Sequence, residues 1–480
     1  MPSKRQFSLL TRSLVAATVA VGAAAAVATA AGKVTAPVFA DGRVLGSHGL
    51  KDEVTSNIYG GPAVQRNADI ASDGAGQWMA VWHSTEPVGD DIDGTYDIVL
   101  SRSIDGGKTW SEKDVVAPDH PGDLRDDLSP TVRTDGKGLW LLAWTSRGSL
   151  GSELGIDGDI LLSRSTDNGV TWSVPSMINQ GAREDWGTDV DVRLAHDGNG
   201  NWLAVWSSTE TFGGKYGGDS DIFTARSVDG GLTWSPPTVL NTNATSDLGF
   251  DITPDVGSAG DGAWLTVWSA GDSLKGRIGI DRDILISRST DGGATWTDPA
   301  RLNSQAPRDQ GSDWAPRFAT DGRGKWIAAW SSAVNLEGIR GKDRDILYSA
   351  STDNGVTWSP AANLDADAAN DAREDTGPVV VTDGKGRWGV MWHSWGGISY
   401  RDGSDADILV SFSDDDAKTW SDPAPVDRAA GQDTSDDLLP TMATDDQGHW
   451  VGVWQTYFPS TGSVARAEWR MIAAAGTPSP

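Results

Sequence analysis

The sequence predicts an all-β fold, a single β-propeller of four-stranded blades, with seven blades favoured and six as the alternative. Three observations predict it. A D-G-x-G-x-W-x-x-x-W theme places its first Trp at 78, 140, 202, 264, 326, 388 and 450, a constant step of 62 residues. An S-x-D-x-G-x-T-W theme ends at Trp110, Trp172, Trp234, Trp296, Trp358 and Trp420, again 62 apart. Two registers sharing one period mark a repeat architecture built from one supersecondary unit. Within the unit, runs such as WLAVWSS and DILLSRS are short, rich in β-formers and bounded by Gly/Asp turns, and no stretch reads as a helix.

The elements follow in chain order. Residues 1–30 read as a signal peptide: Lys4, Arg5 and Arg12 lead an uncharged run from Leu14 to Ala30, which ends in the small-residue cleavage motif Ala28-Thr29-Ala30. That run is shorter than the ~20 residues of a membrane span. Ser3-Lys4-Arg5-Gln6-Phe7 approximates a twin-arginine export motif with Lys in place of the first Arg. A secreted or periplasmic protein without a membrane span is expected. Residues 31–474 form the repeat domain and 475–480 a disordered tail. In one unit the four strands are SPTVRTD, LWLLAWTS, DILLSRS and TWSVPSMI. Asp-Gly joins the first two as a tight hairpin. The paired Trp residues, four apart, lie on one strand face. Seven Trp strands against six of the second motif leave one blade short of its outer strand. The N-terminus is expected to supply it, with GLKDEV at 49–54 in the register of SEKDVV at 111–116. Such closure removes exposed sheet edges.

Composition agrees with this and excludes several functions. Trp 24 against Tyr 6 and Phe 8 suits large side chains filling the wedges between blades. Cys 0 rules out disulfides, Cys-ligated zinc, iron–sulfur clusters and thiol nucleophiles. A formal charge of −28 argues against nucleic acid as partner. Six His residues show no metal-ligand spacing.

Ser103-Ile104-Asp105-Gly106-Gly107-Lys108-Thr109-Trp110 resembles the Asp-box, or BNR repeat, of sialidases and related propellers. It recurs at 165–172, 227–234, 289–296 and 351–358. A sixth copy, at 413–420, has Ala417 in place of Gly, and a distorted turn is expected there. The resemblance covers nearly the whole mature chain. It implies a turn between the third and fourth strands, on the face opposite the ligand site. Local hydrogen bonds from Ser, Asp and Thr suit that role. Sialidases have six blades, so a count of seven departs from them.

Repeated positions identify scaffold, and chemistry on the axis belongs where the repeat breaks. Three acidic columns repeat: Asp123 and its equivalents, Asp127 and its equivalents, and a D-x-D pair such as Asp157/Asp159. They read as turn caps and inter-blade hydrogen bonds. The sharper reading is calcium, with Asp157, Asp159, Asp185 and Asp189 as its ligands, because hard cations favour several oxygens. No cofactor is required. Nine residues before the first Trp, the inner strands carry Asp69, Thr131, Arg193, Asp255, Arg317, Val379 and Thr441. Arg193, Asp255 and Arg317 form either a structural ion-pair ladder or a pocket whose arginines grip a ligand carboxylate. Arg183, Arg373, Arg401, Trp186, Trp314 and Trp395 are further irregular loop residues suited to a sugar. His83, His393 and Gln455 replace the Ser or Thr that follows the other Trp strands.

The resemblance implies that an exo-sialidase needs a tyrosine nucleophile, a glutamate beside it and an aspartate acid/base. Tyr400, Glu374 and Asp255 are the candidates here, although no Arg-Ile-Pro signature occurs. Three functions therefore stand side by side. One is a monomeric, exported propeller binding a glycan or anionic sugar. The second is a glycoside hydrolase of exo-α-sialidase type. The third is a protein-interaction scaffold stabilised by calcium.

Overall fold

Seven sheets stand around one axis in the computed structural model. It describes residues 38–40, 42–45, 65–86, 95–116, 126–147, 157–179, 187–246, 248–260, 262–271, 274, 281–302, 311–334, 340–365, 373–396, 405–427, 434–445, 447–458 and 468–477. The signal-peptide reading and the GLKDEV segment lie outside the described residues. The ring belongs to a unit running from Val34 to Pro480.

Each blade runs outward from the axis in chain order. Blade 2 shows the plan: Asp127–Thr134, Trp140–Ser146, Asp159–Ser165 and Ser176–Met177, all antiparallel neighbours. The outer strand is only two residues long, much shorter than TWSVPSMI suggests. Blades 1 and 3–6 begin at Gln65, Asp189, Asp251, Asp313 and Glu374. Blade 7 is composite. Its three strands Asp437–Thr444, Trp450–Phe458 and Glu468–Thr477 are completed by Val38–Phe39 and Arg43–Val44, both antiparallel to the last of them. N-terminal closure thus holds, through residues that precede the segment expected from the register. Glu468–Thr477 also carries blade 7 three residues into the stretch expected to be a tail.

The tryptophan pairs explain why seven such sheets adhere. Trp202 and Trp206 of blade 3 are fully buried against Leu141, Ala143, Ile160 and Leu162 of blade 2. Trp78 and Trp82 of blade 1 pack in the same way on Val451, Val453 and Ala473 of blade 7, which closes the ring. At about 25 cal/mol per Å² over the ~150–250 Å² of an indole, each burial contributes roughly 4–6 kcal/mol as an upper bound.

The Asp-box turns fasten one end of six of the blades. In blade 2, the Ser165 hydroxyl donates to Asp167 at 2.8 Å and accepts from the Gly169 amide at 2.9 Å, while Asp167 accepts from the Thr171 hydroxyl at 2.6 Å. The Ala417 copy is not distorted. Ser413 still donates to Asp415 and accepts from the Ala417 amide at 2.8 Å. Ala417 adopts φ 57° in place of the usual glycine, and its methyl group is buried beside Ile327. Among the described residues no helix is long and apolar enough to cross a membrane.

Candidate functional site

One irregularity is built into every inner strand. In blade 1, Arg66 pairs with His83 and Asp69 with Val81, so Asn67 and Ala68 together face the single Trp82. This is a β-bulge, and a bulge re-aims the side chains that follow it. The other blades bulge at the same place, and the bulged residue always has a left-handed φ. It is Asn67, Ser129, Asp191, Thr253, Ala315, Gly377 or Leu439, with φ between 49° and 65°. Such a backbone costs of order 1–3 kcal/mol for Thr253 or Leu439 and persists only where its surroundings enforce it. Five bulges are followed by proline (Pro130, Pro254, Pro316, Pro378 and Pro440), which lacks the donor a regular ladder needs.

The bulges surround an axial cavity of about 560 Å³ whose polar wall is made by Asp69, Arg133, Asp191, Arg193, Asp255 and Arg317. Asp69 is saturated. Its carboxylate takes the Arg133 guanidinium at 2.6 Å, the Thr131 hydroxyl at 2.8 Å and the amides of Ile70 and Val132 at 2.9 and 3.0 Å. Burial alone would raise this carboxyl, but the charges of Arg133 and Arg193 and these donors outweigh it and hold it below the ordinary range. Asp255 is satisfied by backbone: Val256 N–H donates to one oxygen at 3.0 Å and Phe318 N–H to the other at 3.1 Å.

The arginines beside it are therefore left over. Among the described residues, Arg193 donates only to its neighbouring carbonyl at Val192, 3.3 Å away, and Arg317 only to that of Pro316, at 2.8 Å. Neither forms an ion pair with a described residue. Burial, and then the like charge of Arg193, push Arg317 down to about 10 against the opposing pull of Asp255, Asp191 and Asp69. Two guanidiniums without an ion-pair partner among the described residues therefore line one cavity, and guanidinium N–H groups are suited to a planar anion.

The remaining expected residues fall elsewhere. Glu374 stands outside the cavity wall, 3.4 Å from Arg344, with Trp395 opposite it across the blade 6 ladder. Arg373 pairs with the buried Asp365 at 3.1 Å. Trp314 carries the Arg282 guanidinium on its ring at 3.8 Å. Tyr400, Arg401, Arg183, Trp186 and Asp185 lie outside the described residues. Sequence reasoning missed Arg133 and Asp191. Arg133 was findable: its column otherwise holds Ala71, Ala195, Gly257, Ala319, Val381 and Ala443.

The acidic columns stitch blades together. Asp159 and Asp189 are both buried, and the Asn179 amide donates to each, at 2.8 and 2.7 Å. Asn241 does the same for Asp221 and Asp251. Burial first, and then Asp157, push Asp159 up to about 6 against the pull of Asn179. Among the described residues no three acidic or imidazole groups converge to hold a metal ion. His83 is a structural acceptor, because its Nδ1 takes the amide of the bulged Ser129 in blade 2 at 3.2 Å. Ser331 plays the same part toward Gly377 at 3.1 Å. In blade 6, His393 Nε2 lies 2.7 Å from the Thr376 hydroxyl. Burial holds His83 and His393 at about 4, with Arg66 adding to the shift at His83.

The ring holds six four-stranded sheets and one five-stranded sheet, with an Asp-box turn in six of the seven blades. The chain is a β-propeller with Asp-box turns, and it is similar to sialidases. No family model matches this propeller. The "Sialidase" of Bacteroides fragilis (strain YCH46) is 26% identical over 302 residues, covering 58% of this chain and 51% of that protein. The propeller thus spans about half the length of the curated relative it matches. Among solved structures, it is similar to a protein of unknown function from Dyadobacter fermentans DSM 18053, with 14% identity, 92% and 99% of the two chains covered and a TM-score of 0.47. It is also similar to the Hadza microbial sialidase Hz136, with 17% identity, 68% and 63% covered and a TM-score of 0.44.

Proposed function

We propose that this propeller is exported and binds an anionic carbohydrate in its axial cavity, with Arg193 and Arg317 gripping an acidic group of the sugar. The observation that carries the reading is the pair of guanidiniums without carboxylate partners beside an Asp255 already satisfied by backbone donors. Arg193 and Arg317 repel each other across this cavity, and a ligand carboxylate or sulfate would relieve that repulsion. The cavity is also large enough for a sugar ring, at about 560 Å³.

The test is a panel of acidic and neutral sugars against the mature chain, followed by Arg193→Ala. Acidic sugars should bind, and the substitution should weaken them about 30-fold, the ~2 kcal/mol of a hydrogen bond to a charged group. Binding that is indifferent to sugar charge or to Arg193 contradicts the proposal.

Hydrolysis of the same ligand is a second reading, favoured by the name of the Bacteroides fragilis relative. It would draw on Tyr400 and Glu374 in addition to the cavity. Glu374 is engaged by Arg344, and both oxygens of Asp255 are taken by amides, so we expect binding without turnover. A fluorogenic sialoside assay distinguishes the two, and release of fluorophore that depends on Tyr400 would establish hydrolysis.

A further inference from the structure

Arg282 and Trp314 both depart from the repeat, and the ring brings them together. Positions equivalent to Arg282 hold Tyr96, Gly158, Ser220, Arg344 and Ala406; those equivalent to Trp314 hold Arg66, Leu128, Val190, Ile252, Thr376 and Leu438. The only indole in its column thus meets one of only two arginines in the other. The guanidinium carbon sits 3.8 Å from the ring centre. The backbone fixes both partners across the junction of blades 4 and 5. Asp313 N–H donates to the Arg282 carbonyl at 2.8 Å, and Arg282 N–H to the Ser312 hydroxyl at 3.4 Å.

Stacking occupies the flat face of a guanidinium and leaves its N–H edge free to meet a planar anion. The next junction supplies the contrast. There the equivalent Arg344 pairs with Glu374, and the position equivalent to Glu374 beside Arg282 is Ser312. The carboxylate that neutralises one arginine has no counterpart at the other, and Arg282 forms no ion pair with a described residue. Trp314 directly precedes Ala315, which lines the axial cavity, and Arg317 follows three residues on. At 3.3 Å per residue, shortened by the bulge, that places Trp314 within about 10 Å of Arg317 along the strand.

We infer that Arg282, held flat on Trp314, is a second anion subsite at the mouth of the axial cavity, so the ligand is an acidic oligosaccharide with anionic groups on more than one sugar. The inference rests on the axial reading and names its ligand class. A net charge of −28 opposes a densely charged polyanion such as nucleic acid. An acidic oligosaccharide carries its charges at sugar-length intervals, which two separate guanidinium positions can match.

Calorimetry tests it with two pairs of probes: galacturonic acid and its trimer, and N-acetylneuraminic acid and its α2,8-linked dimer. The intact protein should bind at least one oligomer about 10-fold more tightly than its monomer. Arg282→Ala and Trp314→Ala should each abolish that advantage while leaving monomer affinity and melting temperature unchanged; Arg344→Ala should leave the advantage intact. Arg193→Ala reports separately on the axial site, because it should weaken monomer and oligomer alike. An oligomer no tighter than its monomer, or an advantage that survives Arg282→Ala, overturns the second subsite and leaves the axial site standing. Failure of all four probes to bind overturns both.

Discussion

The two ends of the ring are built by opposite rules. At the Asp-box end, six turns repeat one hydrogen-bond pattern, and even the Ala417 copy keeps it. At the other end each inner strand bulges alike, but the side chains around the bulges differ from blade to blade. The contrast shows where the common blade plan stops. One turn pattern serves six of the seven wedges, whereas a cavity on the axis belongs to no single blade and is shaped by the exceptions.

Acid should separate the two ends most strongly. His83 and His393 titrate near 4 in the fold against an ordinary value of 6.5, so their neutral forms stabilise the loop end. A depressed folded value means that this stability is complete above about 6.5 and is lost as pH falls toward 4, by about 3 kcal/mol for each histidine. The Asp-box carboxyls of Asp167, Asp229, Asp291 and Asp353 are held down to about 2, chiefly by Thr hydroxyls, and stay charged throughout that window. Hydrogen exchange at pH 5 should therefore rise first at the amides of the bulged residues and not at the Asp-box turns. Simultaneous loss at both ends would erase the distinction.

A substitution at the repetitive end comes next in size. Gly355 has φ 75°, and a methyl group there would clash with Leu265 Cδ2. Gly355→Ala should cost about 2–4 kcal/mol from overpacking and left-handed strain, read as a lower urea midpoint. Ala417→Gly should cost less, because that methyl group is already buried in the cluster that includes Ile327. Equal effects would mean that the Asp-box turns are not held by a common packing rule.

The smallest expected effect sharpens the role of the acidic columns. Asp159 has its folded value raised to about 6, so its contribution to stability is greatest below its ordinary value of 3.8 and is lost as pH rises through 6. Asp159→Asn should then stabilise the chain at pH 7.5 by about 1–3 kcal/mol, with chelators leaving the melting temperature unchanged. Destabilisation by the substitution, together with a calcium-dependent rise in melting temperature of the unaltered chain, would show a cation bridging these carboxylates.

Much of this was legible because a strict period turns every column into an experiment. The blade number, the Trp wedge and the place of Arg193, Asp255 and Arg317 on the inner strands all follow from the step of 62. The bulge did not show. Nothing in the local propensity of Thr253 or Leu439 favours a left-handed backbone, which tertiary packing imposes. The partners of Asp255 were equally invisible, because Val256 and Phe318 supply backbone amides and a main-chain donor leaves no mark in a sequence. His83 was visible as an exception, but its role as acceptor for Ser129 needed the neighbouring blade. Arg282 and Trp314 drew no attention as a pair because 32 residues separate them in the chain.

The most direct test of the central claim compares melting temperatures of Arg193→Ala/Arg317→Ala and Arg133→Ala without ligand. If the first two arginines are surplus to the fold, the double variant melts at or above the parent, while Arg133→Ala melts lower because Asp69 loses its guanidinium. A double variant that melts as low as Arg133→Ala would make the axial arginines part of the scaffold and contradict the account.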